Sequence, residues 1–406
     1  MLLYYVWLAE LKNVTLLQKH RLLEQLGDPK SIYYASQRVL REQRLTQQAV
    51  TALENKDLSG AELILRRCKQ KGIGILPVTD RAYPKRLRHT PDAPVVLYYK
   101  GKLPDWDSLP FIGIVGTRKA SPYGLQVAYQ MGKQIAACGG YVVSGCAAGG
   151  DAAAMQGALE AGCPVIGVLG CGVDMVYPLS NRKLFAAVAA EGCLLSEYPP
   201  GAEPLKWHFP QRNRIISGVS NGVLVVEAPE RSGALITARY ALEQGRDVYA
   251  VPGNINTPTC AGSNLLLQEG AMPVFTGWDV LCGYEILYPG KLKKHKEVPL
   301  YAYEQPVAKV AEKGTKPAKI GENGDLPRKK FIDKETISPY SVVENAKIEL
   351  TRQEQAVYAA LTGEPQEPAA LIARLEMPAG SVLSALTMLT VKGLAQKHPG
   401  GRISKK

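Results

Sequence analysis

Three features predict an α/β protein: a Rossmann-like, doubly wound, mostly parallel sheet with a small helical (SAM-like) domain before it and a winged-helix domain after it. Between residues 111 and 251 six short apolar runs alternate with glycine turns and amphipathic helical stretches. Ahead of them leucines recur at helical spacing, and behind them, past a basic stretch, come three helical segments and a glycine turn.

The front segment, 1–75, is read as short helices. Leu16, Leu17, Leu22, Leu23 and Leu26 lie on one helical stripe that stops at Gly27-Asp28-Pro29, and further stripes cover 49–53 and 61–68. Extended segments at 74–78 and 94–99, separated by turns around Pro84 and Pro91, open a domain spanning 76–285. Its core, 110–285, places strands at 111–115, 141–143, 165–169, 193–195, 222–226 and 247–251. Helices are expected at 123–138, 152–161, 182–191, 213–220 and 235–244. Strands that are almost continuously apolar belong to a parallel sheet covered on both faces.

Residues 286–347 carry Pro, Gly and Lys without apolar periodicity, including the basic run 291–296, and read as a flexible basic linker. Helices at 351–361, 367–375 and 379–392, then the Gly400-Gly401 turn, form the winged helix, 348–406. Thr351, three residues before Glu354, offers a capping box.

With 406 residues, 46% of them hydrophobic and 21% charged, the chain has a globular, multidomain composition; disorder and collagen-like repeats are excluded. No apolar run reaches 18 residues and the apolar start lacks a basic flank, so a cytoplasmic location without membrane contact is expected. Eight cysteines without a C-x-x-C pair and five isolated histidines suggest neither a metal site nor a disulfide framework, and the thiols are expected to be buried.

The net charge of +12 is unevenly spread. There are 18 basic against 11 acidic residues in 1–109, 11 against 13 in 110–285, 13 against 8 in 286–347, and 7 against 5 in 348–406. Such a balance permits a nucleic-acid partner, but solvated faces carry similar excesses.

The turn Gly113-Ile114-Val115-Gly116-Thr117-Arg118 lacks G-x-G-x-x-G spacing, so no dinucleotide cofactor is expected. A second loop, Ser144-Gly145-Cys146-Ala147-Ala148-Gly149-Gly150-Asp151, has P-loop-like glycines, but Asp151-Ala152 replaces the Lys-Ser or Lys-Thr that ATP hydrolysis needs. Between a strand and a helix its amides favour an anion, or its glycines merely permit a tight turn.

The strongest local signal is Lys206-Trp207-His208-Phe209-Pro210-Gln211-Arg212-Asn213-Arg214. No acidic residue stands between Glu203 and Glu227, and Arg212 and Arg214 fall at the expected start of a helix, where cations oppose the dipole unless an anion binds. Trp207 and Phe209 add aromatic planes suited to stacking bases. The alternative is a core role for both rings, with Arg212 paired to Glu197 or Glu227. The core domain has His208 as its one histidine and no G-x-S-x-G elbow, so no catalytic residue is expected and the protein is read as a non-enzyme.

Taken in order, Gly116-Thr117-Arg118 with Ser121-Pro122-Tyr123-Gly124, Ser144-Gly145 with Gly149-Gly150-Asp151, Gly170-Cys171-Gly172-Val173-Asp174 with Tyr177-Pro178 and Asn181, Ser196-Glu197, Phe209-Pro210 through Arg214-Ile215-Ile216, Glu227-Ala228 with Ser232-Gly233-Ala234-Leu235-Ile236-Thr237-Ala238, and Val251-Pro252-Gly253 resemble the DNA-processing protein A (DprA, or Smf) family. The resemblance implies sequence-independent binding and protection of single-stranded DNA, loading of a RecA-type recombinase during natural transformation, and a homodimer. It also implies that Arg118 holds backbone phosphate and that Ser144, Gly145, Gly149 and Gly150 line the pocket. Asn181 joins them, Lys206 and Phe209 contact the strand, and Arg212, Asn213 and Arg214 frame the site. Gly150 departs from the aliphatic residue usual before the aspartate.

Two other functions are kept open. A nucleotide or nucleoside-phosphate hydrolase would use the same glycine-rich fold, although Ser232-Gly233-Ala234-Leu235-Ile236-Thr237 lacks the expected P-G-G-x-G-T motif. A duplex-DNA regulator would use the winged helix, whose candidate recognition residues Ser381, Ser384 and Thr387 are neutral.

Overall fold

The computed structural model describes residues 1–295, 350–375, 377–391, 394–398 and 402–405. The chain divides into two units, Met1–Val310 and Ala311–Lys406.

The first unit opens with six helices: α1 (Leu2–Glu10), α2 (Leu16–Leu26), α3 (Pro29–Tyr34), α4 (Gln37–Glu42), α5 (Gln47–Glu54) and α6 (Ser59–Lys71). Their starts follow from capping residues. Thr15 and Gln18 form a capping box on α2, Asp28 accepts from the amides of Lys30 and Ser31 ahead of Pro29, and Ser36 and Thr46 cap α4 and α5. Leu8, Leu22, Leu40 and Leu53 are buried in the same apolar core as the sheet that follows, so the helical front is packed onto the sheet.

That sheet has nine strands: β1 (Gly74–Pro77), β2 (Val96–Gly101), β3 (Phe111–Val115), β4 (Tyr141–Ser144), β5 (Val165–Leu169), β6 (Cys193–Ser196), β7 (Gly222–Val225), β8 (Asp247–Ala250) and β9 (Met272–Pro273). Their order is β1-β2-β6-β5-β4-β3-β7-β8-β9; β1 and β2 run antiparallel to their neighbours and the other pairings are parallel. Every residue of β3, β5, β6 and β7 is buried, as the unbroken apolar sequences of β3, β5 and β7 require; in β6 the buried Ser196 hydroxyl donates to Cys171 O at 2.7 Å.

The helices that follow are α7 (Lys85–Arg88), α8 (Pro122–Ala137), α9 (Gly150–Glu160), α10 (Arg182–Glu191), α11 (His208–Val219), α12 (Gly233–Glu243), α13 (Ala261–Gln268) and α14 (Gly277–Leu281). From β3 the chain steps one way through β4, β5 and β6, then returns to the far side of β3 for β7 and β8. Right-handed crossovers therefore put α8, α9 and α10 on one face and α11 and α12 on the other. The reversal between β3 and β7 opens a crevice at their carboxyl ends, the place where open α/β sheets bind ligands.

The expected helix at 213–220 is corrected: α11 begins at His208. Pro210 lies in its first turn, where a missing N–H is tolerated, rather than breaking it. Arg212 and Arg214 therefore sit past the first turn and do not oppose the helix dipole as expected. The start of the expected linker is also corrected, because Tyr288 and Leu292 are buried in the core and the Lys293 amide donates to Cys138 O at 3.1 Å. The rest of that linker, from residue 296, lies outside the described residues. Among the thiols, Cys282 is exposed and Cys163 half-buried, against the expectation of burial; the other six are buried, and none of the eight is in a disulfide. Among the described residues no helix is long and apolar enough to cross a membrane.

The end of α6 is fastened to the loops after β5 and β6. Lys71 Nζ lies 2.5 Å from Asp174 Oδ2, and the Gly201 amide donates to Asp174 Oδ1 at 2.8 Å. Burial pushes the Asp174 carboxyl up, but Lys71 and the Gly201 amide outweigh it and leave it below the ordinary carboxylate range. A depressed folded-state value stabilises the fold at neutral pH, and that contribution is lost as pH falls through it. The melting-temperature gap between the wild type and Asp174→Asn should therefore be present at pH 7 and shrink below about pH 4; a gap independent of pH would contradict this.

In the second unit α15 (Arg352–Ala360), α16 (Pro368–Leu375) and α17 (Ala379–Val391) precede a hairpin of β10 (Ala395–Lys397) and β11 (Ile403–Lys405), paired antiparallel. This is the winged-helix arrangement, with Val357, Leu371, Val382, Leu386, Leu389 and Ile403 in its core. Thr351 and Glu354 form the expected capping box. The Gly400-Gly401 turn lies outside the described residues.

Candidate nucleic-acid interface

A cavity of about 500 Å³ occupies the crevice beyond β3 and β7. The loop after β3 brings Gly116, Thr117 and Arg118 to it, the segment after β6 brings Lys206 and Phe209, and the start of α12 brings Ser232, Gly233 and Thr237. Arg118, Lys206 and Arg231 stand exposed at the rim, whereas Val115, Asp151, Ile216 and Thr237 are buried in the floor. Among the described residues no ion pair joins any of the three rim cations to a carboxylate. The Arg118 guanidinium lies 5.0 Å above the Phe209 ring, which in turn is 5.4 Å from Tyr177. These three residues also line an adjoining cavity of about 160 Å³. Rim cations set beside partly open aromatic faces can hold phosphate and stack an unpaired base together.

Of the two readings of the glycine loop, the structure favours a tight turn, because the Gly145 and Ala147 amides point to a side chain of the fold itself. Asp151 turns inward and its carboxylate accepts from the amides of Gly116 at 3.2 Å and Gly145 at 3.1 Å, and from that of Ala147. The fold itself thus fills the place a phosphate would take. Burial pushes the Asp151 carboxyl up, against the pull of Arg212 and the three amides. Two glycines are needed here. Gly149 has φ of 84°, and a β-carbon on it would stand 2.3 Å from Thr117 O. A β-carbon on Gly145 would stand 2.4 Å from Arg212 Nη2. Neither Gly149 nor Gly150 lines the cavity; Gly150 instead packs on Gly116, where a β-carbon of its own would stand 3.0 Å from Gly116 Cα.

The remaining expected residues separate into groups. Ser144 is fully buried and its hydroxyl donates to Ile114 O at 2.6 Å, so its expected place in the lining is corrected. Asn181 lies outside the lining too, donating from Nδ2 to Cys146 O at 3.0 Å. Arg212 borders the cavity but is 3% exposed, with Nη1 donating to Gly145 O at 2.8 Å and to Val168 O. Burial pulls its guanidinium down and Asp151 opposes that. Asn213 lines the cavity and donates from Nδ2 to Gly233 O at 3.1 Å.

Arg214 is 6% exposed and is held by Glu197 and by Asp92 at 3.5 Å, so it does not frame the site as expected. The carboxylates that act on these two arginines, Asp151 on Arg212 through its charge and Glu197 and Asp92 on Arg214 through ion pairs, lie outside the acid-free stretch 204–226. Glu197 meets Arg214 rather than Arg212, and burial pushes the Glu197 carboxyl up while Arg214 opposes it.

Glu227 and His208, the titratable groups that a catalytic reading would use, are both engaged. Glu227 is buried, accepting from the Ser121 amide and hydroxyl and from Thr259. His208 stacks on Tyr198 at 3.8 Å with Nδ1 3.1 Å from Gly170 O. Among the described residues no group of three or more His, Cys, Asp or Glu could hold a metal. Sequence reasoning did not single out Arg231, Ser232 and Thr237 as cavity residues. Their signal was available, because the second half of the crevice must come from the loop after the strand beside β3.

Residues 74–285 match the model of the family described as DNA recombination-mediator protein A, and 344–401 match that of the DprA winged helix domain. The DNA processing protein DprA of Bacillus subtilis is 42% identical over 217 residues, covering 53% of this chain and 73% of that one. The protein Smf of Synechocystis is 33% identical over 345 residues, covering 84% and 82%. The X-ray structure of DNA processing protein A from Streptococcus pneumoniae superposes with a TM-score of 0.62 at 34% identity, covering 70% of this chain and 98% of that one.

Proposed function

The chain belongs to the DNA recombination-mediator protein A family, and on that premise we propose that it binds single-stranded DNA without regard to sequence, using the cavity beyond β3 and β7. The observation that carries this reading is the rim itself: Arg118, Lys206 and Arg231 exposed and free of ion pairs, next to the Phe209 and Tyr177 rings. Phosphate contacts give affinity for any strand, and an aromatic face is open to a base only when that base is unpaired. Protection of the strand and loading of a RecA-type recombinase during natural transformation are the steps such binding would serve. A homodimer fits the sheet margin, where Leu265, Met272 and Phe275 are exposed on and around the edge strand β9.

The competing functions find less support. A hydrolase would need a free carboxylate where Glu227 is locked, and the sequence of α17, the helix a duplex reader would present, contains no charged residue.

The double variant Arg118→Ala/Lys206→Ala tests the proposal. Affinity for single strands should fall at least about tenfold for every sequence tried, and the log-log salt slope should flatten by roughly 0.7 per lost phosphate contact. Unchanged affinity and slope in that variant, or a wild type that prefers duplex, would overturn it.

A further inference from the structure

We propose that the last two turns of α6 form a second phosphate-binding surface, which takes the same DNA strand as it leaves the cavity; the inference rests on the proposed function above. Arg66, Arg67 and Lys69 are exposed there. Among the described residues none of them has an ion-pair partner. Arg66 and Lys69, three residues apart, share one side of the helix, an arrangement in which like charges repel unless an anion lies between them. Glu62, the one acidic residue of α6, is a turn earlier and forms no ion pair with Arg66.

Position ties this surface to the cavity. Lys71 is held by Asp174, and Arg67 Nη1 lies 3.5 Å from where a β-carbon on Gly201 would stand. Gly201 is five residues before Lys206 at the cavity rim, so the two basic groups are separated by at most about 17 Å of backbone. Lys71 and the Gly201 amide compensate Asp174, and Glu203 is the single acidic residue of the intervening segment. Cations at a helix C-terminus also favour the dipole, but that accounts for one or two of them and not for three exposed groups beside the segment that carries a rim lysine.

Strand length separates this surface from the cavity. The full chain and the variant Arg66→Glu/Arg67→Glu/Lys69→Glu would be titrated by fluorescence anisotropy, across salt, with oligothymidylates of about six and about thirty nucleotides. For the longer strand we expect at least a tenfold loss of affinity and a salt slope flatter by roughly 2, at about 0.7 per contact. Affinity for the shorter strand should stay within twofold, and a control with lysine at 66 and 67 should bind the longer strand like the wild type. An unchanged affinity for the longer strand, or an equal loss at both lengths, would overturn the inference while leaving the cavity reading intact. A wild type that binds neither length would overturn both.

Discussion

Arg212→Met should destabilise the first unit by about 3–5 kcal/mol and weaken strand binding at the same time. Methionine fills much of the volume of the arginine but leaves Gly145 O and Val168 O without their donor and the buried Asp151 carboxylate without its cation. The glycine loop then loses its side-chain fastening to α11 and is held by Asp151 and Asn181 alone, which loosens the wall behind Arg118. Urea denaturation monitored by circular dichroism measures the first effect, and anisotropy with a short single strand measures the second. A loss below about 1 kcal/mol would mean that Arg212 is not the fastening of the loop.

Arg214→Met should be nearly as damaging to stability, by about 3–5 kcal/mol, yet leave strand affinity unchanged at temperatures where the variant is folded. Arg214 lies two residues from Arg212 on the same helix, but it meets Glu197 and Asp92 and lines no part of the cavity. Removing it strands a buried carboxylate, so the double replacement Arg214→Met/Glu197→Met should recover most of the loss, a coupling that a double-mutant cycle reads directly. Weakened binding by folded Arg214→Met would return Arg214 to the site.

These two arginines mark the limit of what the sequence makes legible. The strands could be read because a run such as 111–115 is apolar at every position, and the start of α15 because Thr351 and Glu354 stand at capping-box spacing. The cationic segment 206–214 was visible as a segment. Its division into the exposed Lys206, a loop fastener and a core ion pair was not, because the deciding carboxylates, Asp151 and Glu197, are 61 and 17 residues away on other elements of the fold. Ser144 was misplaced for a simpler reason: it is the last residue of β4, and its side chain turns into the core rather than onto the loop beside it. Short α13 and α14, of eight and five residues, carry too little periodicity to be expected.

The inward-turned Asp151 has a consequence for competition inside a cell rich in free nucleotides. Folds with open glycine-loop amides draw nucleoside triphosphates strongly through those amides, whereas here a built-in carboxylate holds the seat and repels a second anion. A small metabolite is left with a few rim contacts, each weak and screened by salt, while a polymer makes many such contacts together and multiplies their effect. On the proposed function, selectivity for a chain over its own monomers would thus come from an internal occupant of the loop.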